Sequence, residues 1–180
     1  MSNNLIEKAY KELEENINSN DLNCFQKNLV EQLRKYEADG VGYVKQLFEL
    51  FEKHPSVYWG EPGAIVHYLE SLDRDLYEKE LIASIERCPV DHTIWMLNRV
   101  CNSKKTKEEI NKYCDIFKKV IQKKFLNDNV INSAESFLNY QNKRLAQIDN
   151  AHNIDSHSTN KNALNDIFGF LNSINIKPKK

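Results

Sequence analysis

Apolar residues recur at a helical period along almost the whole chain, and this most limits the folds open to it. The stripe is most regular where Ile110, Tyr113, Cys114, Phe117, Val120 and Ile121 share one side of a 3.6-residue helix, with Phe125 extending it. Comparable stripes are Leu5, Ile6, Ala9, Leu13 and Ile17; Leu22, Phe25, Leu29, Leu33 and Tyr36; and Val44, Leu47, Phe48 and Phe51. Further along come Ile65, Leu69 and Leu72; Leu81, Ile82, Ile85 and Cys88; and Ile94, Trp95, Leu97, Val100 and Cys101. The last two are Val130, Ala134, Phe137, Leu138 and Leu145, then Ala163, Leu164, Ile167, Phe168, Leu171 and Ile174. No segment keeps the two-residue alternation of a strand, and 5 glycines with 4 prolines are too few for a turn-rich β fold. The expected fold is all-α, with eight to nine helices as antiparallel neighbours in a HEAT-like stack. A single domain is expected over 1–180, with a polar loop at 150–162 and a frayed basic tail at 176–180.

Punctuation between the stripes supports this division. Asn18–Asp21 interrupts the first and offers an N-cap to the second helix, and Asp39-Gly40 ends that helix. His54-Pro55 stops the third, because a residue before proline resists helical backbone angles. Pro62 suits the first turn of the next helix, with Gly60 and Gly63 permitting a tight bend. Pro89 closes the helix before it, Asp91 or Thr93 can cap the one after, and Thr106 with Glu109 fits a capping box.

No run of about 18 apolar residues is present, so no membrane-spanning helix is expected. The acidic start MSNNLIEKAYKELEEN lacks the apolar centre of a secretory signal. Cys24, Cys88, Cys101 and Cys114 form no CxxC pair, and they are expected as reduced core residues of a cytoplasmic protein. The net charge of −1 conceals an asymmetry, −7 over residues 1–99 and +6 over 100–180. Asymmetry of this kind marks either a surface for an oppositely charged partner or two solvated faces.

Several constellations invite chemistry. Arg87 and His92, in RCPVDH, match the Arg-x4-6-His spacing of HEPN-type ribonucleases, where histidine assists proton transfer and arginine offsets phosphate charge. Pro89 between them places the pair across a turn, so this is the alternative reading. His67 is expected to be partly buried and hydrogen-bonded to a neighbour. His152 and His157 with Asp149 and Asp155 lie in the polar loop without ligand spacing, so no metal, cofactor or catalytic residue is assigned. Trp95 and Asn98 are expected to be structural, and Arg99 is open between partner contact and pairing with Glu61 or Glu70. Glu61, Glu70, Asp73, Asp75 and Glu78, followed by Glu80 and Glu86, form an acidic face suited to a basic protein surface. The lysines from Lys104 to Lys124 lack interleaved exposed aromatics, so direct nucleic-acid binding is not expected.

The segment GEPGAIVHYLES, followed by YEKELIASIERCPVDHTIWMLNRVCNS, resembles helical immunity proteins of bacterial polymorphic-toxin and contact-dependent growth-inhibition systems. The matching residues are Gly60, Pro62, Gly63, Val66, His67, Glu70, Thr93, Trp95, Met96, Leu97, Asn98 and Arg99, and the resemblance covers about a quarter of the chain. The resemblance implies a cytoplasmic protein, not an enzyme, that binds the C-terminal domain of a cognate toxin, often a nuclease. A motif common to such proteins serves the scaffold, so Gly60, Pro62, Gly63, His67, Trp95, Asn98 and Arg99 are assigned structural roles. Partner contact is assigned to the acidic face. A generic HEAT-like adaptor without a toxin is a further alternative.

Overall fold

The computed structural model describes residues 2–36 and 41–149. Among them are α1 (Ser2–Glu15), α2 (Leu22–Lys35), a 3-10 turn at Val41–Tyr43, α3 (Val44–Lys53) and α4 (Ala64–Glu70). Then follow α5 (Arg74–Arg87), α6 (Asp91–Ser103), α7 (Lys107–Ile121) and α8, residues 128–149. No strand occurs among the described residues, and the fold is all-α. Chain contacts define two compact units, 1–138 and 139–180; the first is described below. The polar loop expected at 150–162, the helix at 163–174, the tail at 176–180 and the Asp39-Gly40 break lie outside the described residues.

Packing follows the pattern of stacked helix pairs. Sequence neighbours pack as α1 on α2, α5 on α6 and α6 on α7, while α2 meets α4 and α3 meets α5 by skipping one helix. The core uses the anticipated stripes: Ile6, Ala9 and Leu13 from α1, Leu29 and Leu33 from α2, and Leu47, Phe48 and Phe51 from α3. Ile110, Tyr113, Cys114, Phe117 and Val120 bury one face of α7, and Phe117 meets Phe137 of α8 at 6.3 Å between ring centres. Burying each Leu, Ile, Val or Phe side chain among them contributes roughly 1.5–3 kcal/mol, so these stripes dominate the folding energy.

The stripes overreach at their ends. Helix α7 finishes at Ile121, and Phe125 lies four residues beyond it at φ 67°, its side chain fully exposed. Cys24 and Cys88 are exposed and only Cys101 and Cys114 are buried. Cys88 sits after the last turn of α5 with extended backbone (φ −149°, ψ 86°), where the helical period that placed it inward no longer applies. His67 is exposed as well, because α4 turns Ile65, Val66, Tyr68 and Leu69 inward and leaves position 67 on the outer side.

Caps settle the helix starts. Thr106 Oγ1 accepts from Glu109 N at 3.2 Å and Glu109 Oε2 accepts from Thr106 N at 3.2 Å, the expected reciprocal box. Thr93 caps α6 from inside its first turn, accepting from Val90 N at 3.2 Å and donating to Val90 O at 3.0 Å. Asp21 stands at the start of α2, but its side chain makes no capping bond; its N–H donates to Ser19 Oγ instead. Pro62 is not in the first turn of α4: it lies in the preceding turn, after a cis peptide from Glu61, and Gly63 is the N-cap.

That turn is fixed by its two glycines for different reasons. Gly60 has φ 89°, a left-handed conformation that L side chains resist. Gly63 has ordinary angles, but a Cβ there would stand 1.8 Å from the Trp59 carbonyl oxygen. Buried Gln26 of α2 holds the same turn, donating from Nε2 to Trp59 O at 3.3 Å. Its Oε1 accepts from Ile65 N at 3.5 Å, so the side chain serves the turn as both donor and acceptor, which explains a buried glutamine on an otherwise apolar stripe.

Candidate functional site

A cleft of about 440 Å³ opens where the end of α4, the start of α5 and the last turns of α6 meet. Its polar lining comprises Glu70, Arg74, Tyr77, Glu78, Arg99, Asn102 and Ser103. Local sequence sets each position. Helix α4 ends at Glu70, and Asp73 starts α5 by accepting from Leu76 N at 3.0 Å. One turn then places Arg74 over Glu78, with Nε to Oε1 at 2.8 Å, the i,i+4 spacing that brings side chains together on a helix.

Two ion-pair systems furnish the cleft. Arg99 grips Glu70 with both arms of its guanidinium, Nε to Oε1 at 2.7 Å and Nη2 to Oε2 at 2.9 Å. The same guanidinium lies 5.0 Å from the centre of the Trp95 ring, so α6 positions Arg99 by packing and by charge. Glu78 is the hub of the second system. It accepts from Arg74, from Lys104 Nζ at 2.6 and 2.8 Å, and from the Tyr113 hydroxyl of α7. Burial alone would raise the Glu78 carboxyl; the bonds from Arg74, Lys104 and Tyr113 outweigh it and hold the group below its ordinary value. Arg74 also reaches Ser103, which donates in turn to Val100 O at 2.6 Å.

Tyr77 forms the floor. It is only 5% exposed, its ring stacks on Phe48, and its hydroxyl has no hydrogen-bond partner among the described residues. Burial, then the Glu70 charge, holds its proton on, with Arg99 opposing and Glu78 assisting.

The sequence-assigned acidic face therefore divides. Glu70 and Glu78 point into the cleft and are occupied by Arg99 and by Arg74 with Lys104, because α4 and α5 turn these positions toward α6. Glu61, Asp73 and Asp75 are exposed and join no ion pair among the described residues. Of the motif residues, Gly60, Pro62 and Gly63 build the turn before α4, Trp95 and Asn98 are half-buried on α6, and Arg99 takes Glu70, one of its two expected partners. The basic side is dispersed too: Lys104 is buried against Glu78, Lys118 pairs with Asp115, and Lys123 donates to the carbonyls of Ile85 and Glu86 at the end of α5.

Arg87 and His92 have unrelated surroundings, and neither lines the cleft. Arg87 pairs with Glu52 of α3 at 2.8 Å, and Ser84 donates to the same carboxylate at 2.6 Å. The His92 ring packs between Phe51, at 4.9 Å, and Trp95, at 5.5 Å. Burial, only partly opposed by Asp91, lowers its pKa from 6.5 to about 4, which makes it a weak base near neutrality.

A second hollow, about 550 Å³, borders the turn before α4 and reaches the α1–α2 connection, where Asn18, Asn20, Asn23 and Gln26 face Tyr58 and Trp59. None of its lining residues is charged.

Sequence reasoning missed Arg74, Tyr77, Lys104 and Tyr113. The Arg74–Glu78 spacing was a legible signal; Tyr77 adjoins Glu78 but reads as a core residue, and Lys104 and Tyr113 meet the site across 26 and 35 residues of chain with no local signature. Fold and cleft together define an all-α protein with a polar, internally ion-paired recess. Compared with protein-family models, with curated proteins and with solved structures, the chain has no match.

Proposed function

We propose that this protein is a cytoplasmic immunity protein that neutralises a cognate bacterial toxin domain by protein–protein association. The observation that carries the reading is the cleft: its ionic side chains are held in place by one another, beside the exposed carboxylates Asp73 and Asp75. A polar surface ordered before contact loses little side-chain entropy on binding, and complementary charges at its edge speed encounter and fix register. The family-like residues Glu70 and Arg99 lie in this cleft, and Gly60, Pro62 and Gly63 shape the turn that leads to α4.

Co-expression with the product of the adjacent open reading frame, read by pull-down and by growth rescue, tests the proposal. Charge reversal at the exposed Glu61 and Asp75 should weaken capture more than reversal at Lys118 and Lys119. Asp73→Asn keeps a helix-capping side chain while removing charge, and should weaken capture without lowering the melting temperature. An equal or larger loss from the lysine reversals would count against the acidic edge. RNA turnover by the purified protein, abolished by His92→Ala, would replace association with catalysis.

A further inference from the structure

Hydrogen-bond accounting in the cleft is one-sided. Both oxygens of Glu70 are taken by Arg99, and both oxygens of Glu78 are taken by Arg74, Lys104 and Tyr113. An arginine carries five N–H donors. Arg74 and Arg99 each commit one from Nε and one from Nη2, leaving three on each. These side chains are also the open part of the cleft, 59% and 37% exposed, against 14% for Glu78. Guanidinium donors are therefore in excess where a ligand would enter, and the carboxylate acceptors behind them are already bonded.

Charge points the same way. Arg74 and Arg99 balance Glu70 and Glu78 among the lining residues, and Lys104 is held against Glu78 behind the lining. The guanidiniums are the more exposed partners of both pairs, so an incoming anion meets positive charge first. On the floor the Tyr77 hydroxyl, a donor kept protonated, is buried without a partner. A buried hydroxyl left unpaired is destabilising, and an oxygen acceptor brought to it recovers part of that cost.

We propose that this cleft is a receptor for one carboxylate group, bound by the spare N–H groups of Arg74 and Arg99 and by the Tyr77 hydroxyl. Its source is an aspartate or glutamate side chain on the partner protein; only that assignment of source rests on the proposed function. The bound oxygens replace solvent on two guanidiniums whose orientation Glu70 and Glu78 already fix, so the partner contributes the group and the recess contributes the order.

The test titrates the full-length protein with N-acetyl-glutamate methylamide, a glutamate side chain without other charge, monitored by NMR of arginine Nε–H and backbone amides. Saturable shifts are expected at Arg74, Arg99 and residues 99–103, with the glutamine analogue and inorganic phosphate both binding more weakly. Tyr77→Phe should weaken the carboxylate about tenfold, the factor for one hydrogen bond to a charged group, without lowering the unfolding midpoint. Absence of saturable shifts, equal binding of the glutamine analogue, tighter binding of phosphate, or an unchanged Tyr77→Phe variant each overturns the proposal. Toxin neutralisation without carboxylate binding sinks the receptor and leaves the immunity reading standing. Carboxylate binding by a protein that neutralises no adjacent gene product sinks that reading and the protein source with it.

Discussion

His92 should make this protein lose stability in mild acid. Its ring lies against Phe51 and Trp95, and its Nε2 is buried without a partner. Burial lowers its pKa to about 4 from an ordinary 6.5. The unfolded chain therefore takes up a proton as pH falls through 6.5, while the folded chain resists until about 4. Between those values the unfolded state binds more protons, so stability declines with falling pH; above about 7 the residue contributes nothing to the slope. At 1.36 kcal/mol per pH unit the loss is about 2 kcal/mol at pH 5 and about 3 kcal/mol near pH 4. Urea unfolding followed by tryptophan fluorescence measures it, since Trp59 is buried and Trp95 stacks on the His92 ring. His92→Phe keeps an aromatic ring and removes the proton site, so its stability advantage over the parent should grow by about 1.4 kcal/mol per pH unit below 6.5. Carboxylates such as Glu78, held below their ordinary value, lose their contribution at lower pH in both proteins and cancel in the difference. Parallel stability curves for the two proteins from pH 6.5 to 4.5 would refute the reasoning.

Other perturbations test the scaffold. Gly63→Ala forces a methyl against the Trp59 carbonyl and should cost about 1–3 kcal/mol in urea melts, in line with overpacking. Glu78→Gln removes the carboxylate facing Lys104, whose side chain is 10% exposed, and should cost about 3–5 kcal/mol; adding Lys104→Met should recover much of it. Lys123→Met removes two bonds to the last carbonyls of α5 and should cost about 1 kcal/mol, with faster amide exchange confined to the end of that helix.

The helices were legible because their determinants are local. A stripe such as Ile110, Tyr113, Cys114, Phe117 and Val120 must face one way on any helix, and Thr106 with Glu109 closes its start over three residues. The pattern failed where helices end: Cys88 and Phe125 continue a periodicity whose backbone has already changed direction. The sequence leaves Arg99 open between partner contact and pairing with Glu61 or Glu70, because whether Glu70 faces solvent or Arg99 depends on α4 and α6 meeting, which no local spacing encodes.

Sequence alone determined that this chain is helical, where most helices begin and stop, and which faces go inward. Tertiary structure decided which charges survive on the surface. Glu70 and Glu78 became the fixed inner walls of a cleft, while Glu61, Asp73 and Asp75 stayed in solvent. The physical reason is that burial of an apolar stripe follows from the period of one helix, whereas pairing of a carboxylate follows from the arrival of side chains 26, 29 and 35 residues away.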